Sequence, residues 1–294
     1  MHEKHIDTRY MRYPGGLRKA VTFSYDDGCY SDIRLAKKLN EFGIKCTFNI
    51  CSAYVKNSET DGKLTYDDIN KYMLGLGHEV AVHGKFHRAP GILSPLEGIS
   101  DVLDCRRELE NNLDMIIRGM AYPNSGIRTI LPVTNYATIK NYLTELGIAY
   151  ARTLGSDNNS YNLPTDWHAW MPTAHHDNPN LLDWIDEFVN LDFAKLYHAN
   201  RHSRLMYIWG HTFEFNNKDN WQRMDEICEK LGNRDDVWYA TNIEIYDYVK
   251  AYDSLVWRSD YKQVHNPTNT TVWFEINGNM YSVKSGETIK IDKY

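Results

Sequence analysis

Ala20-Val21-Thr22-Phe23-Ser24-Tyr25-Asp26-Asp27-Gly28 is an apolar, β-branched and aromatic run that ends abruptly in two carboxylates and a glycine. A buried strand reads this way when it delivers acidic groups to a rim. Two adjacent acids repel each other, so a positive charge is expected between or beside them.

The stretch His83-Gly84-Lys85-Phe86-His87 supplies a partner for that pair. It follows a second strand-like run, His78-Glu79-Val80-Ala81-Val82. Two histidines and one aspartate make a three-ligand set suited to zinc, with the fourth position left for water, as in catalytic rather than structural sites. Either motif alone also fits a plainer reading, in which the histidines are surface or satisfied core groups and the acid pair is a turn. Their joint placement after successive strands favours the metal reading.

With 294 residues, 42% of them hydrophobic and 24% charged, the chain has the composition of an ordinary globular protein. A length of this order suits an α/β barrel in one domain. The formal net charge of −6 argues against nucleic acid or an anionic membrane as a partner and suits neutral or cationic substrates. Cys29, Cys46, Cys51, Cys105 and Cys228 are odd in number and form no CxxC pair, so they read as reduced, mostly core thiols. Met1 to Asp7 carry no apolar leader, and no run approaches the roughly 20 apolar residues of a membrane helix, so a cytoplasmic location is expected.

Strand-like runs at 20–25, 45–50, 78–83, 116–121, 148–153, 206–210 and 237–240 alternate with helical periodicity. Ile33, Ala36, Leu39 and Phe42 share one helix face, with Ser31 as cap and Gly43 as stop. Thr65 to Leu76 reads similarly, and Ser94-Pro95-Leu96-Glu97 is a capping box opening the next helix. Further helices are expected at 133–146, 181–199, 219–231 and 242–252. Seven βα units predict a distorted seven-stranded (β/α) barrel over residues 1–254. Residues 255–294 should form a small β appendage packed on it, with Asn277-Gly278 turning a hairpin.

The long stretch 154–180 holds Asp157, Asn158, Asn159, Asp166, Trp167, His168, Trp170, His175 and His176, and is read as a substrate-facing loop. Asp26, Asp27, His83, His87, Tyr122 and His211 all fall at or just beyond expected carboxyl ends of strands. In βα barrels that end carries the active site, so these residues are expected in one cleft.

At this point Tyr25-Asp26-Asp27-Gly28, His83-x-x-x-His87, Ala121-Tyr122-Pro123 and Trp209-Gly210-His211 resemble the successive motifs of the polysaccharide deacetylase family, the NodB-homology, family 4-like carbohydrate esterases. The resemblance spans about residues 18–250. It implies a divalent metal, Zn2+ or another transition ion such as Co2+ or Ni2+, and removal of acetyl groups from N-acetylated sugars or polysaccharides. Asp27, His83 and His87 would be metal ligands, Asp26 the general base, the Tyr122 backbone N–H an oxyanion donor, and His211 the general acid. These roles fit the physics: a metal readies water and polarises the acyl carbonyl, an ionised Asp accepts a proton, and an imidazolium protonates the departing amine.

The chain departs from the family pattern in three places. Arg118 precedes Tyr122 by four residues, where the family arginine that holds the base stands three before, so that role is not carried to it. Asp166-Trp167 has the letters of the motif whose Asp tunes the acid histidine, and Asp166, Trp167, Trp170 and His175 are read as substrate contacts or tuning groups, with packing the alternative. Trp209 takes the place of a family leucine beside the acetyl methyl and either lines that pocket or fills the barrel. A sugar O-acetyl esterase, a hydrolase of small non-sugar amides and a non-catalytic sugar-binding protein are the competing expectations.

Overall fold

The computed structural model describes residues 8–56, 63–124, 126–127, 133–153 and 161–291. The chain enters through β1 (Arg9–Arg12) and a short turn into β2 (Lys19–Asp27), which is buried at every position but its last. There follow α1 (Asp32–Glu41), β3 (Cys46–Ile50), α2 (Tyr66–Asp68), β4 (Glu79–Val82), α3 (Pro95–Leu113), β5 (Gly119–Ala121), α4 (Tyr136–Glu145) and β6 (Tyr150–Arg152). The barrel ends with β7 (Ala174–His175), α5 (Leu181–Val189), β8 (Arg204–Gly210), α6 (Thr212–Lys218), α7 (Gln222–Leu231), β9 (Val237–Tyr239) and α8 (Asn242–Asp253).

The central sheet runs β6-β5-β4-β3-β2-β8-β7, and β9 pairs with the start of β2. Every pairing within it is parallel. The segment from Trp170 to His175 draws the two edges together. Trp170 bridges to β6, with its N–H on Ala151 O at 3.1 Å, and β7 pairs with β8. This is the expected distorted barrel, and each of the seven anticipated strands is present. The two-residue β7 carries too little periodicity to be read from sequence.

Helix packing follows the apolar spacing. Ile33, Leu35, Ala36 and Leu39 of α1 are buried against the sheet, and Gly43 closes the helix at φ 66°. Ser31 does not cap α1 as expected; its own backbone is helical, and its hydroxyl meets Thr212 Oγ1 at 2.7 Å. The Ser94 capping box of α3 forms as read. The helix expected over 181–199 stops at Val189.

The appendage comprises β10 (Val256–Trp257), β11 (Gln263–His265), β12 (Val272–Ile276), β13 (Asn279–Val283) and β14 (Thr288–Lys290). Asn277 and Gly278 turn the β12–β13 hairpin at φ 47° and 84°, the left-handed pair that such a turn requires. Its core of Val264, Val272, Phe274, Ile276, Val283 and Ile291 rests on Ala251 and Leu255. β1, which lies within the span assigned to the barrel, pairs with β12, and Arg12 meets Glu275 at 3.0 Å in a buried ion pair. Among the described residues no helix is long and apolar enough to cross a membrane. Asp157, Asn158 and Asn159 lie outside the described residues.

Candidate active site

Neighbouring residues on a strand point to opposite faces, yet Asp26 and Asp27 approach the same imidazole. Asp27 breaks the alternation with a left-handed φ of 81°. Asp27 Oδ1 lies 3.4 Å from His83 Nε2, and Asp26 Oδ2 lies 3.9 Å from it. His83, just beyond β4, holds Ala121 O at 2.9 Å through Nδ1, which fixes the ring and leaves Nε2 as the nitrogen facing the acids. His87 Nε2 comes within 3.1 Å of the same Asp27 oxygen. The loop between the histidines is anchored by Asp101, which accepts from Lys85 N at 3.1 Å. Gly84 permits this approach, since a Cβ there would stand 2.5 Å from the Asp101 carboxylate.

Asp27 Oδ1 and His83 Nε2 are both buried without a hydrogen-bond partner. Ligands at about 2.0–2.1 Å from a tetrahedral ion stand roughly 3.3 Å apart, close to the two contacts of Asp27 Oδ1. Each of these two edges therefore fits a divalent transition ion; the groups whose ligand atoms all lie within 4.8 Å of one another are Asp27, His83 and the buried Cys51, with His87 joined through Asp27. Burial would raise the Asp27 carboxyl, but the two imidazoles outweigh it and hold it far below the ordinary carboxylate range.

Asp26 is buried and carries the Arg152 guanidinium on Oδ2, while Asn49 Nδ2 donates to Oδ1 at 2.8 Å. Burial alone would raise its pKa; Arg152, with His83 and His211, brings it below the ordinary value and keeps the group ionised. Arg152 is the group that sequence reasoning left unassigned. It stands at the carboxyl end of β6, and its guanidinium lies 4.6 Å over the Trp209 ring. Arg118 pairs instead with Asp247 at 2.5 Å, far along the chain.

His211 follows β8, with Nε2 at 3.9 Å from Asp26 Oδ2 and Nδ1 at 3.5 Å from Glu214 Oε2. Glu214, in the first turn of α6, also accepts from His211 N at 3.2 Å and pairs with His175 Nε2 at 3.0 Å. Burial would lower His211, but Glu214 and Asp26 raise it above its ordinary value. Glu214 was missed in the sequence, although an acid three residues after the residue preceding a helix is the capping-box signature. His175 does face the site, its ring 4.7 Å from that of Trp209, and Trp209 stands between Arg152 and His211.

Four expected site groups have other partners in the structure. The Tyr122 N–H donates to Arg152 O at 2.9 Å within the sheet, so it is not free to serve an oxyanion. Trp170 is 1% exposed and packs inside the barrel against Tyr150 and Tyr207. Trp167 packs edge-on to Trp170 and to Tyr246 of α8. Asp166 is spent on Tyr136 Oη at 2.7 Å and Lys140 Nζ at 2.8 Å, away from His211. The rings that do stand exposed on segments following β2, β3, β4 and β8 are Tyr30, Tyr54, Phe86 and Phe213. A cleft of about 490 Å³ opens beside Asp27 and His87, lined also by Tyr30, Tyr54 and Lys63.

In parallel βα barrels the active site sits at the carboxyl rim, where these carboxylates and imidazoles gather. Residues 14–151, a little under half of the chain, match the family model described as polysaccharide deacetylase, in agreement with the motif resemblance. The match contains Asp26, Asp27, His83 and His87 and stops one residue short of Arg152. No curated protein matches the sequence. Among solved structures, a candidate polysaccharide deacetylase from Mycobacterium smegmatis is similar at 18% identity and TM-score 0.53, over 85% of this chain and 96% of that one. A family 4 acetyl xylan esterase from Clostridium thermocellum in complex with a cobalt ion is similar at 16% identity and TM-score 0.49, over 78% and 90%. A Streptococcus pyogenes deacetylase, PplD, in complex with acetate is similar at 15% identity and TM-score 0.41; this chain covers 61% of its length, and 50% of this chain is matched.

Proposed function

We propose that the protein is a metal-dependent hydrolase that removes acetyl groups from N-acetylated sugars or their polymers. The observation that carries this reading is the meeting of Asp27, His83 and His87 around two unpartnered buried atoms, with Asp26 and His211 beside them. A zinc-type ion, when bound, supplies a nucleophile by lowering the pKa of water and polarises the acetyl carbonyl.

The remaining work falls to the chain. Asp26 Oδ2 is kept ionised by Arg152 and accepts the proton of the attacking water. His211 Nε2, on the same side as Asp26 Oδ2, gives a proton to the nitrogen that leaves. An amine departs poorly unless protonated, and the raised pKa of His211 suits that need. Trp209 walls the space between Arg152 and His211, where the acetyl methyl would lie. Exposed Tyr30 and Tyr54 offer flat faces to a sugar ring.

The test is metal content and acetate release measured together. Purified protein should hold a divalent ion and release acetate from an acetylated chitooligosaccharide faster than from acetylated xylan. Asp27→Ala and His83→Ala should lose both ion and turnover. Full turnover after complete removal of the metal would overturn the reading, and acetate release from the xylan alone would reassign it to an esterase.

A further inference from the structure

Behind the His211 side of the site lies a second group of side chains, His175, His176, Asp177 and Glu214, whose candidate ligand atoms all lie within 4.8 Å of one another. We propose that His176, Asp177 and Glu214 form a second, regulatory site for a divalent transition cation, supported by His175 and distinct from the Asp27–His83–His87 set. His176 Nε2 lies 3.3 Å from Glu214 Oε2 and 3.4 Å from Asp177 Oδ2. Those spacings are close to the edge of a tetrahedron with bonds of about 2.0–2.1 Å.

The independent mark is His176 itself. Its ring is 0% exposed, its Nε2 has no hydrogen-bond partner, and it is aimed at the two carboxylates. The other nitrogen, Nδ1, is 3.2 Å from the Tyr25 hydroxyl. An N–H there, donating to the tyrosine oxygen, leaves the Nε2 lone pair facing the carboxylates. Phe215 stacks on the ring at 4.1 Å between centroids, and a Cβ at position 210 would stand 1.9 Å from Nδ1, so Gly210 is needed for the ring to lie where it does.

His175 plays a different part. Asp177 N donates to its Nδ1 at 3.2 Å, so its Nε2 carries the proton given to Glu214 at 3.0 Å. It orients a carboxylate rather than binding the ion, as outer groups of metal sites do. Lys218, whose side chain is 53% exposed, rests its ammonium on Asp177 Oδ2. A cation therefore competes with a flexible, solvated lysine.

Glu214 connects the two sites. Its Oε2 faces His211 Nδ1 at 3.5 Å and His176 Nε2 at 3.3 Å. A cation drawn onto that oxygen takes the carboxylate away from His211, so excess metal should slow turnover. This consequence rests on the proposed reaction; the binding itself does not.

The experiment is a zinc titration of metal-free protein by calorimetry, repeated with cobalt to read visible absorption, neither of which needs turnover. Two binding events are expected, a tighter one lost in Asp27→Ala and a weaker one lost in Asp177→Asn. Lys218→Met should tighten the weaker event by roughly threefold, the scale of an exposed ion pair. A single event in the wild-type protein, or a weaker event unchanged by both Asp177→Asn and Lys218→Met, would overturn the second site. If Asp177→Asn loses both events through misfolding, Lys218→Met decides: unchanged weak affinity in that exposed variant counts against the proposal. Loss of turnover with both binding events intact would instead count against the deacetylase reading.

Discussion

Arg152 reaches across the barrel mouth to place its guanidinium on the Asp26 carboxylate, joining the tips of β6 and β2, which are separated by three strands in the sheet. Both side chains are buried, so neither charge has water to fall back on. The pair fixes Asp26, the base in the proposed reaction, and holds it ionised.

Arg152→Ala should therefore do two things. It strands a buried carboxylate, destabilising the fold by about 3–5 kcal/mol in denaturant unfolding. It also lets burial raise the Asp26 pKa, so the acid limb of kcat/KM moves to higher pH and turnover at neutral pH falls by about 100-fold or more. An unmoved acid limb would mean that Asp26 is not the base.

Glu214→Gln removes one of the carboxylates that raise His211. A group whose pKa is raised stays protonated to higher pH, so the wild-type alkaline limb should lie above the ordinary histidine range. In the variant that limb should shift to lower pH while the acid limb set by Asp26 stays put, as a full pH–rate profile would show.

Asp27→Ala should lower metal affinity by more than about 100-fold, beyond the effect of removing an outer group. Equilibrium dialysis against a buffered zinc series reads this directly. Asp26→Asn, by contrast, should keep the ion and lose turnover.

Asp32, buried at the start of α1, accepts from Thr212 Oγ1 at 2.5 Å, and its pKa is pushed up to about 8, chiefly by burial. The unfolded chain releases this proton near the ordinary 3.8, and the folded chain holds it to about 8. Stability from this group is complete below the lower value and is lost as pH climbs to the upper one. Asp32→Asn should flatten that decline in melting curves taken from pH 4.5 to 8.5 and cost little activity.

Trp170→Ala should cost about 3–5 kcal/mol of stability as a core truncation. Tyr54→Ala, at an exposed ring beside the cleft, should leave the melting temperature nearly unchanged and raise KM for an oligosaccharide. The reverse pattern would restore the sequence reading of Trp170 as a sugar contact.

Much of this was readable from residues. The run ending at Asp26-Asp27 and the His83, His87 spacing led to the right strands because burial on both faces leaves a continuous apolar signal. Arg152 closes a run already read as a strand, yet nothing local says that it points across the barrel to a partner 126 residues earlier. Glu214 had a local signal, its spacing from His211, but its link to His175 depends on β7, a strand too short to show a period. Trp167 and Trp170 stayed open between sugar contact and packing because an aromatic-rich stretch looks alike in either role; the structure buries Trp170. The Tyr122 N–H could not be judged at all without the neighbouring strand that takes it up.

The pairing of β1 with β12 sets an order of events in the life of the chain. Arg12 pairs with Glu275, which lies 263 positions further along the chain. On the ribosome β1 must wait, its backbone edge bare, until β12 has emerged. Closure of that clasp is thus expected late in folding, since contacts so distant in sequence carry a high loop-closure cost. A chaperone that shields a nascent edge would find its client in β1.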